Sequence, residues 1–521
     1  MKDGIIMRIK VKHVLLFLFQ FVLLIGIITS YIVANIGNEV YKEDEKQETK
    51  GIAMMLEQTA GMGNYKVVTR KSWPGDGYIF NANLSNCKNN SKLIWDEDKR
   101  TVTYSGRFTD NCTIYFDIYN LGVINSVSYV ATTSSLTITA KATAGYAPID
   151  KYYFSIDNGV NYIETADNVI TFNNLEPNTS YTIKIKVKDI NGKEGAVVSR
   201  TFKTKIMSIA EVCSTGDNLI NCIQAFAAKG SNVSNIYVHD SNLTNGAGDG
   251  SYRYAGPSES VNNFVCFGSS ASTCPSDNLY RIIGVFGSNN HGISYNLVKL
   301  IKYDYASKNL LGSDGNYYGS TTPPKSLYKG ALSSVDTYTW KNNANAWSWS
   351  SLNKTNLNTN FLSNIGTTWA DKIISVNWVT GGNTSAKVIN TTAKNAYANE
   401  ITSPASTLTT ANKIGMMYVS DYGFAATPSA WSSNISNYYL GNISSNNWMY
   451  MGMQEWTNTR DANDSVGVFY IHYGASVDVG AGADYELEDG IGIAVRPCFY
   501  LANETKYLSG TGEKSSPIRI E

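Results

Sequence analysis

Strict alternation of apolar and polar positions marks the stretch from residue 121 to residue 205. The apolar members of three such runs are Leu136, Ile138, Ala140 and Ala142; Tyr152, Phe154 and Ile156; and Tyr181, Ile183, Ile185 and Val187. Thr and Lys fill most of the positions between them, and Asn-Gly turns at Asn158 and Asn191 end two of the runs. A period of two with one polar face is typical of half-buried antiparallel strands. The pattern predicts a β-sandwich over residues 121–205.

A short motif inside this stretch carries a family resemblance. Residues 175–181 read L-E-P-N-T-S-Y, which resembles the fibronectin type III pattern L-x-P-x-T-x-Y. The resemblance implies that Leu175 packs inward and that the hydroxyl of Tyr181 hydrogen-bonds back to nearby backbone. The Trp that the family usually carries on an early strand is missing here. The resemblance also implies a spacer rather than a ligand-reading domain, and the chain has no Arg-Gly-Asp tripeptide.

A long apolar run lies near the N-terminus. No charged residue occurs from Val14 to Asn35, and 22 helical residues span about 33 Å, enough for the hydrocarbon core of a bilayer. Lys and Arg dominate before the run and acidic residues after it, so the preceding side is expected to stay cytoplasmic. We predict a cytoplasmic tail (1–13), a transmembrane anchor (14–36) and an extracellular remainder (37–521). The alternative is a cleaved signal peptide with a weak site at Ala34.

Two segments separate this anchor from the predicted sandwich. Residues 37–65 are largely polar and are expected to form a stalk, either a short helix or a disordered spacer. Residues 66–120 contain alternating pairs such as Ile114 and Phe116, which predict a small β domain. A domain of about 55 residues buries only a marginal core. A Cys87–Cys112 disulfide would add to its stability, by about 3 kcal/mol, because it closes the loop between the two residues.

Cysteine usage agrees with export. The chain has seven cysteines, and six fall into the local pairs Cys87 and Cys112, Cys213 and Cys222, and Cys266 and Cys274. Local pairs are expected as disulfides in an oxidising compartment, and the alternative is reduced, buried thiols. Cys498 stands alone in an apolar stretch, which favours a core thiol over a nucleophile.

The remaining residues, 206–521, are expected to form a large α+β module. Apolar residues at helical spacing from Leu219 to Phe226 predict a helix, and Arg281–Phe286 and Leu297–Ile301 predict buried strands. Segments 263–286, 413–457 and 495–520 resemble a module of Gram-positive-type bacterial surface proteins. Its closing pattern is VRP-x-x-YL…GTG…P-I, and its Trp-rich middle resembles C-type-lectin-like folds. The whole chain is therefore predicted to be mainly β and multidomain.

Charge and histidine content narrow the function classes. The 43 Lys and Arg balance the 43 Asp and Glu, so the chain lacks a basic nucleic-acid footprint. With only His239, His291 and His472 in the exported part, a nucleophile–base–orienter triad is hard to assemble. Carboxylates that would be candidates for glycoside hydrolysis are Glu455, Asp484, Glu486, Glu488 and Asp489. None forms a convincing pair in the sequence, and we predict that the protein is not an enzyme.

Calcium is the one cofactor that the loops suggest. Asp249, Asp314, Asp461, Asp464 and Asp478 lie in Asn/Gly/Asp loops, which supply the oxygen ligands that Ca²⁺ prefers. None matches the EF-hand spacing, and ordinary turn chemistry explains them as well. No other metal or cofactor is predicted.

Tryptophans supply the candidate binding residues. Flat rings beside Asn and Asp suit sugar binding, and the candidates are Trp347, Trp349, Trp431, Trp448 and Trp456. For each of them, a role in the core is the interpretation that the sequence favours over binding. The order of anchor, spacer and head favours a cell-surface adhesin that binds a host or bacterial glycan or protein. The alternatives are a structural or pilus-associated envelope component and an exported carbohydrate-active enzyme.

Overall fold

The computed structural model describes most of the chain from Ile52 onward. The described residues are 52–68, 74–75, 77–87, 92–96, 99, 101–105, 112–288, 292–340, 345–439, 443–481 and 493–521. The predicted tail (1–13) and anchor (14–36) lie outside them, as do His291 and the acidic residues Asp484, Glu486, Glu488 and Asp489. Within the described ranges no helix is long and apolar enough to span a bilayer.

The first sheet forms a small β domain. Its strands are β1 (Ile52–Glu57), β2 (Tyr65–Val68), β3 (Tyr78–Cys87), β4 (Lys92–Asp96), β5 (Thr101–Ser105) and β6 (Cys112–Ile118). The sheet order is β2-β1-β6-β3, and β4 and β5 form a separate hairpin. Strand β1 runs parallel to β6, with Ile52 opposite Cys112 and Leu56 opposite Phe116. Burial of one face of this pair supplies the core of the domain.

The start of this domain corrects the predicted stalk. The predicted stalk, a short helix or a disordered spacer, includes residues 52–65. In the structure Ile52–Glu57 form β1, whose Met54 and Leu56 are buried with Ile114 and Phe116. The carboxylate of Glu57 accepts hydrogen bonds from the Gly63 and Ile118 amides, at 3.1 and 2.9 Å. The stalk prediction is wrong here because the alternation in I-A-M-M-L-E is too short to be recognised without its partner strand.

A two-sheet β-sandwich follows. Its strands are β7 (Val123–Ala131), β8 (Leu136–Thr143), β9 (Ile149–Ser155), β10 (Ile163–Thr165), β11 (Val169–Phe172), β12 (Ser180–Asp189) and β13 (Val198–Lys203). One sheet has the order β11-β8-β7 and the other β10-β9-β12-β13. Most of the alternating apolar residues of β8 and β12 are buried as predicted, while Ala142 and Tyr181 are partly exposed. The hydroxyl of Tyr181 accepts a hydrogen bond from the Glu176 amide at 2.9 Å, the backbone contact that the family motif implied.

The C-terminal module is α+β. Its strands are β14 (Ile236–Val238), β15 (Tyr252–Tyr254), β16 (Phe264–Cys266), β17 (Leu279–Phe286), β18 (Leu297–Lys302), β19 (Tyr317–Thr321), β20 (Val335–Tyr338), β21 (Ile373–Ile374), β22 (Val376–Val379), β23 (Thr409–Asn412), β24 (Ile414–Gly415), β25 (Glu455–Arg460), β26 (Gly467–Ile471), β27 (Val477–Ala481), β28 (Cys498–Leu501), β29 (Tyr507–Ser509) and β30 (Arg519–Ile520). The main sheet has the order β14-β15-β17-β18-β28-β21, with β16 beside β17 and β24 beside β28. The smaller sheets are β19-β20, β22-β23, β25-β26-β27 and β29-β30.

Short helices connect these strands. The α-helices are α1 (Leu219–Ala227), α2 (Ser231–Ser234), α3 (Lys308–Leu311), α4 (Leu362–Asn364), α5 (Thr367–Ala370), α6 (Ser385–Val388), α7 (Ala393–Tyr397) and α8 (Val419–Ala425). The π-helical segments are Leu352–Phe361 and Ala398–Thr402, and the 3₁₀ turns are Ile209–Glu211, Ser276–Asn278, Trp347–Trp349, Pro428–Ala430 and Ile435–Asn437. Helix α1 confirms the predicted helical face, and Asn218 caps it by accepting from the Ile220 and Asn221 amides.

Disulfides join the three predicted cysteine pairs. Cys87 is bonded to Cys112, Cys213 to Cys222, and Cys266 to Cys274. Cys498 is a free, buried thiol on β28. Each bridge closes a short loop, so each restrains the unfolded chain locally.

Candidate functional site

A surface cleft of about 620 Å³ lies in the C-terminal module. Three separate parts of the chain line it: Ser258, Glu259, Asn262 and Phe264; Tyr303; and Glu513, Lys514 and Ser515. The volume falls in the range of small-molecule sites. Rings, hydroxyls, an amide and both signs of charge therefore meet in one concave surface.

One wall of the cleft is wrapped around the buried guanidinium of Arg281. This group donates to Asn263 Oδ1 (2.5 Å), Ser258 Oγ (2.8 Å), the Val261 carbonyl (2.7 Å) and the Trp448 carbonyl (3.2 Å). No carboxylate of the described chain forms an ion pair with it. Burial lowers the pKa of Arg281 to about 9, so the group stays charged at neutral pH.

The rings of Phe264 and Trp448 cover this guanidinium, with centroids 4.4 and 4.6 Å from its central carbon. A buried charge without a counter-ion is costly, and here neutral acceptors and aromatic faces offset the cost. The arrangement fixes the wall segment against β17, on which Arg281 lies.

The second wall, which adjoins the first through a hydrogen bond from the Phe264 amide to the Gly512 carbonyl, is a tight turn near the C-terminus. The Ser516 carbonyl accepts from the Thr511 and Gly512 amides, and the Ser516 amide donates to the Glu513 carbonyl. Gly512 has a φ of +82°, and a Cβ there would lie 2.4 Å from the Asn262 carbonyl oxygen. The turn can therefore approach the first wall only because position 512 has no side chain. Its tip presents Glu513, Lys514 and Ser515 to the cleft.

Tyr303 forms the floor between the two walls. Its ring meets the Phe264 ring edge to face at a centroid distance of 5.1 Å. The Lys514 ammonium lies 4.6 Å from the centroid of the Tyr303 ring and 3.2 Å from its hydroxyl oxygen. The floor is thus a half-buried aromatic face on which a cation already rests.

The buried carboxylates of the module are held by other groups of the chain. Glu455 makes a two-pronged ion pair with Arg496 at 2.7 and 2.8 Å, and burial raises its pKa. Asp421 pairs with Lys299 at 2.6 Å; burial works to raise its pKa, but Lys299 and Arg253 outweigh burial and lower it. Glu455 is therefore not a free carboxylate for glycoside chemistry.

Glu400 is a third buried carboxylate. It accepts from the Val419 amide at 3.0 Å, the Ser420 amide at 2.9 Å and the Thr459 hydroxyl. Burial raises its pKa to about 7. The group therefore titrates near neutral pH inside the core.

Four of the five predicted binding tryptophans belong to the core. Trp347, Trp431, Trp448 and Trp456 are at most 4% exposed, which contradicts a binding role for them and agrees with the core role that the sequence favours. The indole nitrogens of the last three donate to backbone carbonyls, which explains how these rings are buried without an unmet donor. Trp349 is 67% exposed but does not line the cleft.

The remaining candidates for catalytic chemistry, where the structure describes them, make contacts within the protein. Burial raises the pKa of the Cys498 thiol to about 12, which makes it a poor nucleophile. His239 is buried and accepts from the Ala247 amide, and His472 accepts from the Gly474 amide.

The predicted calcium ligands are engaged in local contacts. Asp249 pairs with Arg253, Asp314 accepts from Asn360, and Asp461, Asp464 and Asp478 accept from nearby backbone amides. Within the described ranges, no three His, Cys, Asp or Glu side chains are grouped so as to hold a metal ion.

The cleft residues were missed by sequence reasoning. They come from positions 258–264, 303 and 513–515, and no local pattern links these segments. One signal was present: Arg281 is the one charged residue in the otherwise apolar strand β17, and Ser, Asn and Glu residues lie in the segment before it. A buried cation implies a surrounding set of acceptors, and that set is one wall of the cleft.

Comparison with solved structures finds likenesses to small β-sandwich domains. No family model matches the chain, and no curated protein matches it. Among solved structures, the PKD1 domain of Vibrio anguillarum Epp is 15% identical and covers 17% of this chain and 96% of its own, with a TM-score of 0.14. The fourth FNIII domain of a human protein is 23% identical and covers 17% of this chain and 81% of its own, with a TM-score of 0.15. The fn3 domain of human collagen alpha-1(XX) is 18% identical over 18% and 88%, with a TM-score of 0.14. These likenesses cover about a sixth of the chain and bear on no other part of it.

Proposed function

We propose that this protein is a membrane-anchored bacterial cell-surface protein whose C-terminal module binds a glycan or protein ligand, with the sandwich as a spacer. The observation that carries the proposal is the cleft between Phe264, Tyr303 and the turn at Glu513. It combines an aromatic floor with accessible hydroxyl, amide and charged groups, the chemistry of a recognition site. The three disulfides support an exported location.

Binding is favoured over catalysis by the state of the acidic residues. Glu455 and Asp421 are neutralised by Arg496 and Lys299 inside the core. Glu259 and Glu513, the carboxylates in the cleft, are both exposed. General acid–base catalysis needs carboxylates whose environments differ strongly, and neither of these two is buried.

The test is binding of residues 37–521 to a panel of mucins, matrix proteins and glycans, with calcium present and chelated. A Tyr303→Ala variant is expected to lose at least tenfold in affinity, because the floor of the cleft disappears. A Tyr318→Ala variant, which removes an exposed tyrosine elsewhere in the module, is expected to bind like the unaltered chain.

Equal binding by both variants would place recognition outside the cleft. If nothing on the panel is bound, the adhesin proposal fails, and a structural role in the envelope replaces it.

A further inference from the structure

The floor of the cleft holds an ammonium group of the protein itself. Lys514 is exposed, yet its Nζ lies over the Tyr303 ring at 4.6 Å and within 3.2 Å of the Tyr303 hydroxyl. None of the ion pairs between described residues includes Lys514. An ammonium placed on an aromatic face without a carboxylate partner shows what charge that face accepts.

The rim of the cleft carries more negative than positive charge. Glu259 and Glu513 are both exposed, and neither belongs to an ion pair within the described chain. Two carboxylates therefore face one ammonium, that of Lys514. A second ammonium brought by a ligand would find partners that the free protein leaves unpaired.

Arg281 does not reverse this preference. Its four hydrogen bonds go to neutral acceptors of the protein, and the Phe264 ring packs on its guanidinium. An anionic ligand would meet Glu259 and Glu513 at the rim, and the one lining ammonium that could pair with it is that of Lys514. The guanidinium of Arg281 therefore holds the wall segment in place.

The other residues that line the cleft indicate the chemistry of the rest of the ligand. Ser258, Asn262 and Ser515 offer hydroxyl and amide groups around the ring. The volume of about 620 Å³ is far larger than one lysine side chain needs and suits a short oligosaccharide. Hydroxyls of a sugar match these side chains, and its apolar face matches the ring.

We infer that the cleft takes a glycan that carries a free amino group, such as a hexosamine that is not acetylated. This inference rests on the proposed function. The amino group of the ligand takes the place of the Lys514 ammonium over Tyr303, Lys514 moves out to solvent, and Glu259 and Glu513 pair with the ligand. Lys514 is thus an internal competitor for the site.

The test compares a glucosamine oligomer with an N-acetylglucosamine oligomer of the same length, titrated into the full chain by calorimetry. The amino form is expected to bind and to weaken with salt. Glu259→Gln and Glu513→Gln are each expected to lower the affinity about threefold, the size of an exposed ion pair. Lys514→Ala is expected to raise it about threefold.

The controls are Glu504→Gln and Lys506→Ala, which remove the same charges from exposed positions outside the cleft and should leave the affinity unchanged. Equal binding of both oligomers, with no effect of Lys514→Ala but loss in Tyr303→Ala, would overturn the amino-group inference and keep the proposed cleft.

Two further outcomes are decisive. Tighter binding of a lysine-rich peptide than of the glucosamine oligomer would overturn the assignment to sugars. If neither oligomer binds while another ligand of the panel depends on Tyr303, the amino-sugar inference fails and the proposed function stands.

Discussion

The sandwich and the C-terminal module differ in whether they bury Lys and Arg side chains. Every Lys and Arg between residues 121 and 205 is at least partly exposed. The module buries Arg253, Arg281, Lys299, Lys302 and Arg496, each with 1% or less of its surface exposed. Lys and Arg therefore reach solvent throughout the sandwich, whereas the module also places five of them in its interior.

The difference follows from how the strands are covered. Strand β12 of the sandwich alternates buried and partly exposed positions, so its lysines reach water. Strands β17 and β18 are buried at every position, so their Lys and Arg side chains must find hydrogen-bond acceptors or carboxylate partners inside the protein. Lys299 lies on β18 beside Asp421 and within 5.5 Å of four aromatic ring centroids. The sandwich depends on apolar burial, whereas the module depends also on matched charges.

The largest expected effect is on the Glu455–Arg496 pair. Glu455→Gln should lower the free energy of unfolding of the module by about 3–5 kcal/mol, because it leaves a buried cation without its partner. Glu194→Gln breaks the Lys186 pair on the sandwich surface and should cost less than about 1 kcal/mol. Denaturant unfolding followed by fluorescence measures both. Equal losses would show that the buried pair contributes no more than the exposed one.

The second effect is a pH dependence that only the module should show through Glu400. Its folded-state pKa is raised from 4.5 to about 7, so the folded protein holds a proton that the unfolded chain has released. This contribution is fully present below pH 4.5 and is lost as the pH rises through about 7. The shift corresponds to roughly 3 kcal/mol.

The measurement is the difference in unfolding free energy between the unaltered chain and Glu400→Gln, taken at pH 4.5 and pH 7.5. The stability of the unaltered chain relative to the variant should fall across this window. All other titrating groups are shared by the two proteins and cancel. A constant difference would contradict the assignment to Glu400.

The smallest effect concerns the sandwich motif. Tyr181→Phe removes the hydroxyl that accepts from the Glu176 amide and should cost about 1 kcal/mol. Tyr152→Phe is the matched control, since the Tyr152 hydroxyl makes no hydrogen bond within the described chain, and should change thermal unfolding by less than half as much. An equal shift in both variants would mean that the motif contact adds nothing.

Local periodicity carried most of what could be predicted. Strands β8, β9 and β12 alternate, helix α1 repeats at helical spacing, and β17 and β18 are short apolar runs, so each was recognisable from its own residues. Strand β1 was missed because its character depends on pairing with β6, about 60 residues away.

The cleft and the buried charges lay beyond such reasoning. The cleft joins residue 258 to residue 515, and no sequence period connects positions that far apart. Trp349 and Trp347 lie two positions apart, yet one is 67% exposed and the other 1%, because tertiary packing decides the matter. Which charges enter the core could not be predicted either, since Asp277, four residues before Arg281, forms its ion pair with Lys302 instead.

The parallel pairing of β1 with β6 has a mechanical consequence. The chain enters the small domain through β1 and leaves it through β6, and five residue pairs hold these two strands side by side. Tension applied to the two ends of the domain pulls parallel neighbours in opposite directions along their length, so their hydrogen bonds bear the load together instead of opening one by one. Single-molecule stretching should therefore find that this small domain resists extension more strongly than its size suggests.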